Sequence, residues 1–413
     1  MNNEKEKILF VGQHPEGNTG NGNMMQACLD QINYSKYNVK VFAQGEPPIE
    51  LTRDIFEENN TPYELIPAFH RDTNDSWGKQ KLLAFLETAN LDQLIFVGID
   101  IWRYAEIFPR IKQISLQNEF AWKVLVPYDA FNIRHDWINW LKYPDKTYIY
   151  SKYGYDMVKD HVPNAEYFRP SLLYKDILEP AMTEEKKDLR SKIFPDVTED
   201  ITILGFIGNN QLRKNILKLL WGFSTVLQDR KDVVLYIHTN NPNNVYNIQQ
   251  LVRDFDLPDA SVRHNGASRP LLPEEMSVIY KCLDAHILPS IQEGLSWTVI
   301  ESKLAGLPSI ISRCTAHLDY ENEDSIFFID CDETDYLPLM TEEGPAYVPT
   351  LSCSPTSIAD AIDAFLASKD HAEIDYLQST AIEFGKEWTE MCDDISKILE
   401  STVSQRQITG EII

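Results

Sequence analysis

Two carboxylates, Glu293 and Glu301, stand eight positions apart in LPSIQEGLSWTVIESKLAGLPSIIS, the stretch from Leu288 to Ser312, between two short apolar runs that read as buried strands. The first run, DAHILPS, predicts a strand ending near Ser290, and SWTVIESKLAG predicts a helix closed by Gly306, with Pro308 beyond it as a stop signal. Glu293 then lies in the turn and Glu301 more than one turn into the helix. The amides of Leu295, Ser296, Trp297 and Thr298 have no intrahelical partner, and the helix dipole makes that end attractive to phosphate. A diphosphate could dock there, with Glu301 accepting both hydrogen bonds of a ribose diol and Glu293 holding sugar hydroxyls beside an anomeric carbon. A solvated turn and an exposed helix face would also account for two glutamates. The ordered context of strand, PS, EG, helix, AGLP and strand argues for a site.

Other residues could serve the same chemistry. In FIGNNQLRKNILKLL, Arg213 and Lys214 fall where a helix starts, a place where cations oppose the dipole unless an anion is bound. After the first strand, GQHPEGNTGNGNMMQACLDQI carries Gly17, Gly20 and Gly22, which permit a tight turn and close backbone approach before a helix beginning near Asn23. Asp100 in FVGIDIW and Asp129 in WKVLVPYDAFNIRHDW follow strands, with His135 a few residues on. Trp102, Trp137 and Trp140 suit either sugar-stacking platforms or core. Asp330-Cys331-Asp332 has the form of a metal-binding DxD, but a lone DxD in an acidic chain is expected by chance, and no metal site is assigned.

The elements that must position these residues follow from the pattern. The runs KILFVG, YNVKVFA, LDQLIFVG, WKVLVPYD and KTYIYS alternate with helix-length segments, the signature of a parallel sheet covered on both faces. The rhythm breaks in the charged stretch between about Leu172 and Asp200. It restarts with ITILGFIG, a helix KNILKLLWGFSTVLQ, then DVVLYIHT, ASVRHNG, DAHILPS and PSIIS. Two doubly wound domains are expected, over 1–180 and 200–380, with 381–413 as a C-terminal helix and tail. Ser354-Pro355 is a helix-capping pair, and Trp388, Met391, Ile395 and Leu399 have helical spacing. Ligands in such folds bind at the C-terminal ends of the strands, here facing an interdomain cleft.

At 413 residues, 43% apolar and 24% charged, the chain has the composition of a globular protein with two or three domains. Its net charge of −25 disfavours duplex DNA and anionic membranes as partners. No run has the length of a membrane span, and the N-terminus passes from charged residues directly into a strand, so a cytoplasmic protein is expected. The six cysteines have no paired or metal-ligand spacing and are read as reduced thiols.

The segment around Glu293 and Glu301 resembles the E-x7-E segment of retaining glycosyltransferases of GT-B fold, the family 4 group. The resemblance extends more loosely to the glycine turn after the first strand, the Gly-then-Lys loop opening the second domain, and the Trp-containing final helix. It implies two Rossmann-like domains with a C-terminal helix crossing back. The N-terminal domain would take the acceptor and the C-terminal one the donor. It also implies that Glu301 binds ribose and Glu293 the transferred sugar, that Arg213 and Lys214 clasp the diphosphate, and that the glycine loop at Gly20 and Gly22 closes over donor or acceptor. His264, Asn265 and Gly266 follow a strand where relatives contact the base. The chain departs from the pattern in two places. Asn209 follows Gly208 where many members have Arg, and Tyr128 stands where many have His, leaving Asp129 or His135 to face sugar or acceptor.

The implied reaction moves a sugar from a nucleotide sugar, a UDP- or GDP-sugar, to a hydroxyl of a glycan, lipid-linked sugar or protein. It is metal-independent, with configuration retained and no tightly bound cofactor. A phosphorylase or epimerase of the same fold, and a nucleotide-sugar-binding protein without turnover, are the alternatives.

Overall fold

The computed structural model describes residues 4–17, 19–45, 61–68, 75, 77–239, 241–258, 260–265, 271–341, 344–368 and 371–402. The chain forms two compact units, one of residues 1–128, 132–173 and 392–413, the other of 129–131 and 174–391.

In the first unit, strands β1 (Glu6–Gln13), β2 (Tyr37–Gln44), β3 (Glu64–Pro67), β4 (Gln93–Val97), β5 (Ala121–Val126), β6 (Lys146–Ile149) and β7 (Ala165–Tyr167) form one parallel sheet. Its order is β3-β2-β1-β4-β5-β6-β7. The central strands are largely apolar because helices cover both faces: all five residues of β4, Gln93 included, are buried. The chain reverses its direction of strand addition between β1 and β4, and ligand sites of such sheets open there. The helix Gly20–Asp30 begins at that point, three residues earlier than the spacing predicts, because the Thr19 hydroxyl caps it by accepting the Gly22 amide at 3.0 Å.

In the second unit, β8 (Thr202–Ile207), β9 (Val233–His238), β10 (Val262–His264), β11 (Ala285–Leu288), β12 (Ser309–Ser312) and β13 (Ile326–Ile329) form a second parallel sheet. Its order, β10-β9-β8-β11-β12-β13, repeats the first. An antiparallel hairpin, β14 (Glu333–Thr341) and β15 (Gly344–Ser352), follows β13. Ser354 then caps the helix Pro355–Ala367 by accepting the Ser357 amide, as its Ser-Pro start predicts. The charged stretch before β8 holds the helix Thr183–Ile193, whose Arg190 grips Asp284 at 2.5 Å and the Cys282 carbonyl at 2.8 Å.

The final helix is not continuous. It runs from His371 to Glu390, breaks, and resumes at Ser396–Leu399. The break diverts the chain onto Arg169 of the first unit: the Asp393 amide donates to the Arg169 carbonyl, and the Asp393 carboxylate accepts the Arg169 amide, both at 2.8 Å. Lys123 of β5, 1% exposed, then donates to the carbonyls of Ile398 (2.7 Å) and Leu399 (3.2 Å), holding the last turn. Among the described residues no helix is long and apolar enough to cross a membrane.

Candidate active site

Sheet order explains how distant residues meet. Because β8 is a neighbour of β11, and β11 of β12, all parallel, the loops leaving their C-terminal ends are adjacent. The loop after β8 carries Arg213 and Lys214 in a single 3-10 turn, Leu212–Lys214. The loop after β11 carries Glu293, and the loop after β12 carries Thr315 and His317. Main-chain bonds join them: the Ile291 amide donates to the Arg213 carbonyl at 2.9 Å, and the Ala316 amide to the Glu293 carbonyl at 3.3 Å.

Glu293 is 4% exposed, and one of its carboxylate oxygens takes both cations, Lys214 Nζ at 2.5 Å and Arg213 Nη1 at 2.9 Å. Its own amide donates to Thr315 Oγ1 at 3.0 Å. Burial alone would raise the pKa of this carboxyl, but Arg213 and Lys214 outweigh it and hold the group well below the usual carboxylate range. Lys214 is brought down to about 8, by burial first and by neighbouring Arg213, against the pull of Glu293. Two cations around one buried anion form a cluster that a second anion would stabilise.

The helix Trp297–Leu304 starts beside this cluster. Its cap residue, Ser296, has φ +67° and caps no amide with its side chain. The Ser296 hydroxyl goes instead to His317 Nε2 at 2.7 Å. His317 Nδ1 lies 2.9 Å from the Ser312 carbonyl oxygen, which can only accept, so Nδ1 carries the ring proton and Nε2 accepts from Ser296. Burial, with Glu293 opposing, lowers the His317 pKa to about 4 and keeps the ring neutral. The first turn of the helix is thus left without a side-chain cap, and Thr298 Oγ1 is buried with no partner among the described residues.

Three of the five non-glycine residues with positive φ among those described, Asn215, Ser296 and Thr315, fall in these three loops. Each such residue costs roughly 1 kcal/mol or more and persists only where its surroundings over-determine it, which is common at functional sites.

Glu301 sits on the same helix, half-buried, and accepts from the Tyr280 hydroxyl at 2.6 Å through Oε2. Burial raises its pKa, with the Tyr280 bond opposing. Leu295 is buried and its carbonyl accepts from Tyr320 at 2.9 Å, while Trp297 is half-buried. At Gly208 an added Cβ would come no closer than 3.5 Å to Phe206 and 3.7 Å to Lys214, so the protein's own packing does not require glycine there. The Asn265 carboxamide exchanges two bonds of 2.8 Å with the main chain of Thr239, fastening the ends of β9 and β10 to each other. Gly266 lies outside the described residues.

The remaining candidates lie in the first unit, except Asp129, which belongs to the second. Gly20 is the exposed first residue of its helix. Gly22 is required by local packing, because a Cβ would fall well inside contact distance of the Gly17 carbonyl and 2.9 Å from that of His14. Asp129 follows β5, half-buried. Tyr128 is fully buried and braces the turn after it, its hydroxyl donating to the Asn132 carbonyl (3.0 Å) and accepting the Arg134 amide (2.8 Å). His135 is exposed and opens the helix His135–Trp140. Asp100 pairs with Arg103 at 2.8 Å. Trp137 is core, and Trp102 lies under the Arg103 guanidinium at 4.1 Å. Among the described residues no group of three or more His, Cys, Asp or Glu is placed to hold a metal ion.

Sequence reasoning missed Thr315, His317, Ser312 and Tyr280 as parts of the site. The signal for the first three was SRCTAHLDY, from the last residue of β12 into the loop after it, a third loop at the same sheet edge. Tyr280 had no signal beyond a place in an amphipathic helix.

Two parallel sheets of seven and six strands in repeated order, with interspersed helices, are the α/β fold of GT-B glycosyltransferases. Residues 201–337, which span β8 to the start of the hairpin and all three site loops, match the family described as glycosyl transferases group 1. The chain is similar in structure to Anabaena HepE, solved in complex with UDP and glucose, at a TM-score of 0.67 and 12% identity over 96% of this chain and 100% of that one. A glycosyltransferase from Rickettsia africae matches at 0.66 and 12%, over 96% and 97%. Sucrose-phosphate synthase from Thermosynechococcus elongatus matches at 0.65 and 15%, over 93% and 95%. No curated protein matches the chain in sequence. At these identities the structural likenesses establish the fold. Together with the family match, they support a glycosyltransferase.

Proposed function

We propose that the protein is a retaining glycosyltransferase that transfers a sugar from a UDP- or GDP-sugar to an acceptor hydroxyl without a metal ion. The observation that carries this reading is the convergence of Arg213 and Lys214 on buried Glu293, beside a helix start whose cap hydroxyl is engaged by His317. The diphosphate would lie against Arg213, Lys214 and the amides of Trp297 and Thr298, in the manner of anions at helix N-termini. Glu301 would take the ribose through Oε1, since Tyr280 already occupies Oε2. Glu293 would accept from the sugar hydroxyls while keeping both cations aimed at the leaving group. Gly208 would let the phosphates approach the loop after β8, and Asn265 would shape the base site by holding Thr239. The acceptor is assigned to the first unit, with the loop at Gly20 and Gly22 as its contacts, and Asp129 of the second unit would face the transferred sugar.

In the transfer, the bond between the anomeric carbon and the phosphate oxygen breaks while one forms to the acceptor oxygen on the same face. The acceptor proton passes to the departing phosphate, so no protein base is needed. Arg213 and Lys214 stabilise the charge that develops on the diphosphate.

The test is a thermal-shift panel of nucleoside diphosphates and their common sugars on wild type and Glu301→Ala. A ligand at a hundredfold its dissociation constant stabilises by about 2.7 kcal/mol. A shift for one base, weakened in the variant, supports the donor site; NMR of the anomeric product then reads retention. Absence of a shift with every nucleotide overturns the donor assignment.

A further inference from the structure

Three of the six cysteines, separated widely in sequence, collect at the base of the β14–β15 hairpin. Cys331 Sγ and Cys353 Sγ are 3.2 Å apart. The two residues flank the hairpin's first cross-strand pair, Glu333 with Ser352, so they face each other across its open end. Cys314, fully buried, donates to the Ser290 carbonyl at 3.3 Å, and it stands two residues past Ser312 as Cys331 stands two past Ile329, the last cross-strand pair of β12 with β13. Cys331 is half-buried and is the member of the cluster that solvent reaches, while Cys353 is fully buried.

The cluster connects to the candidate site on two sides. Cys314 immediately precedes Thr315, which accepts the Glu293 amide. On the other side, Lys218 ties the hairpin base to the helix Ile216–Asp229 through Glu333 (2.7 Å) and Ser352 (2.9 Å). That helix directly follows Arg213 and Lys214.

We propose that Cys331 and Cys353 are a reversible disulfide site, and that Cys314 is the thiol to which the bond at Cys331 can be handed. This goes beyond the transferase reading, and only its pyrophosphate readout rests on the anion site proposed there. With a peroxide as oxidant, the Cys331 sulfur takes one oxygen to become a sulfenic acid and the peroxide leaves as water or alcohol. The Cys353 sulfur then attacks Cys331, the S–O bond breaks, and a second water leaves. A low-molecular-weight disulfide gives the same product by two exchanges, releasing two thiols. Attack by Cys314 on the Cys331 sulfur would form a 314–331 bond and free Cys353, with no net oxidation. Cys331 and burial hold the Cys314 thiol well above its usual range, and Cys331 is raised as well, Cys314 opposing and Cys353 and burial prevailing, so both the first oxidation and the handover are slow. The 331–353 bond only closes the hairpin base. A 314–331 bond would be anchored one residue from Thr315, which holds the Glu293 amide.

The test uses the full chain, treated with glutathione disulfide, then alkylated and mapped by non-reducing peptide mass spectrometry. The expected product is a 331–353 crosslink reversed by dithiothreitol, with inorganic pyrophosphate affinity within about twofold of the reduced protein. Oxidised Cys353→Ser is expected to carry the 314–331 crosslink and to bind pyrophosphate several-fold more weakly. Cys331→Ser should form neither crosslink. Alkylation of all three thiols after oxidant treatment that forms mixed disulfides elsewhere, or an unchanged crosslink pattern in Cys331→Ser, overturns the proposal.

Discussion

Glu293→Gln is the substitution that separates two accounts of the basic cluster. Glutamine keeps the shape of the side chain and removes its charge, leaving Lys214 and Arg213, which approach Glu293 at 2.5 and 2.9 Å, without their carboxylate. If those cations receive the donor diphosphate, the carboxylate and the diphosphate share them and repel one another. Two unit charges about 5 Å apart at an effective dielectric of about 20 interact by about 3 kcal/mol. The Arg213 side chain is 35% exposed, and solvent on that side reduces the figure by about half, which leaves roughly a tenfold gain in affinity. The variant should therefore bind inorganic pyrophosphate about tenfold more tightly than wild type by calorimetry at pH 7, while losing sugar transfer. Without ligand it should be less stable, by about 3 kcal/mol, because breaking a buried pair strands charge. Saturating pyrophosphate should recover most of that loss. A cooperatively folded Glu293→Gln that binds pyrophosphate no more tightly than wild type would refute the shared-cation argument.

Other expectations follow from the same geometry. Lys214, held at about 8, loses its charge as pH rises, so pyrophosphate affinity should fall by up to about tenfold per unit above pH 8, and Lys214→Met should flatten that profile. Glu293 is shifted the other way: its folded pKa lies below the ordinary carboxyl value. The stability it contributes is complete above about pH 4.5 and is lost as pH falls through the folded value, a loss that urea titrations between pH 3 and 6 should show to be smaller in Glu293→Gln. Glu301→Gln should weaken nucleoside diphosphates by about tenfold and leave pyrophosphate unchanged in calorimetry; equal losses for both would remove Glu301 from the ribose. Gly22→Ala should destabilise by about 1–3 kcal/mol in chemical denaturation because its Cβ meets main-chain carbonyls. Gly208→Ala, which has room for its Cβ, should melt like wild type and bind pyrophosphate more weakly if the phosphates approach that loop.

The central strands were legible because parallel strands buried on both faces are mostly apolar, as VVLYIH and QLIFV are but for one terminal residue each. The edge strands ELIP and AEY were not, since partial exposure leaves them without such a run. The β14–β15 hairpin hid behind prolines at 338, 345 and 349, residues that argue against a strand within a sheet but are tolerated in a two-stranded ribbon with open edges. The break after Glu390 was also illegible, because helical spacing persists through it in sequence and only the bonds from Asp393 to Arg169 divert the chain. In each case what was missing was a neighbour, which local pattern does not supply.

The same distinction runs through the site. Glu293, Glu301, Arg213 and Lys214 could be picked out because each follows a readable strand, yet their meeting depends on β8 lying beside β11, a property of strand order. The positive φ angles at Asn215, Ser296 and Thr315 are further removed from sequence, since none of these residue types prefers that conformation as glycine does. Tertiary bonds impose it: His317 holds the Ser296 hydroxyl, and Glu293 places its amide on Thr315. Together the three residues hold roughly 3 kcal/mol or more of local strain, and a loop free to relax would release it. That the strain is kept in three adjacent loops, locked by buried polar bonds around an ionised carboxylate, means that the cations and the helix start are set before any ligand arrives. An anion entering such a site would meet groups already oriented, and the cost of orienting them would have been met in folding.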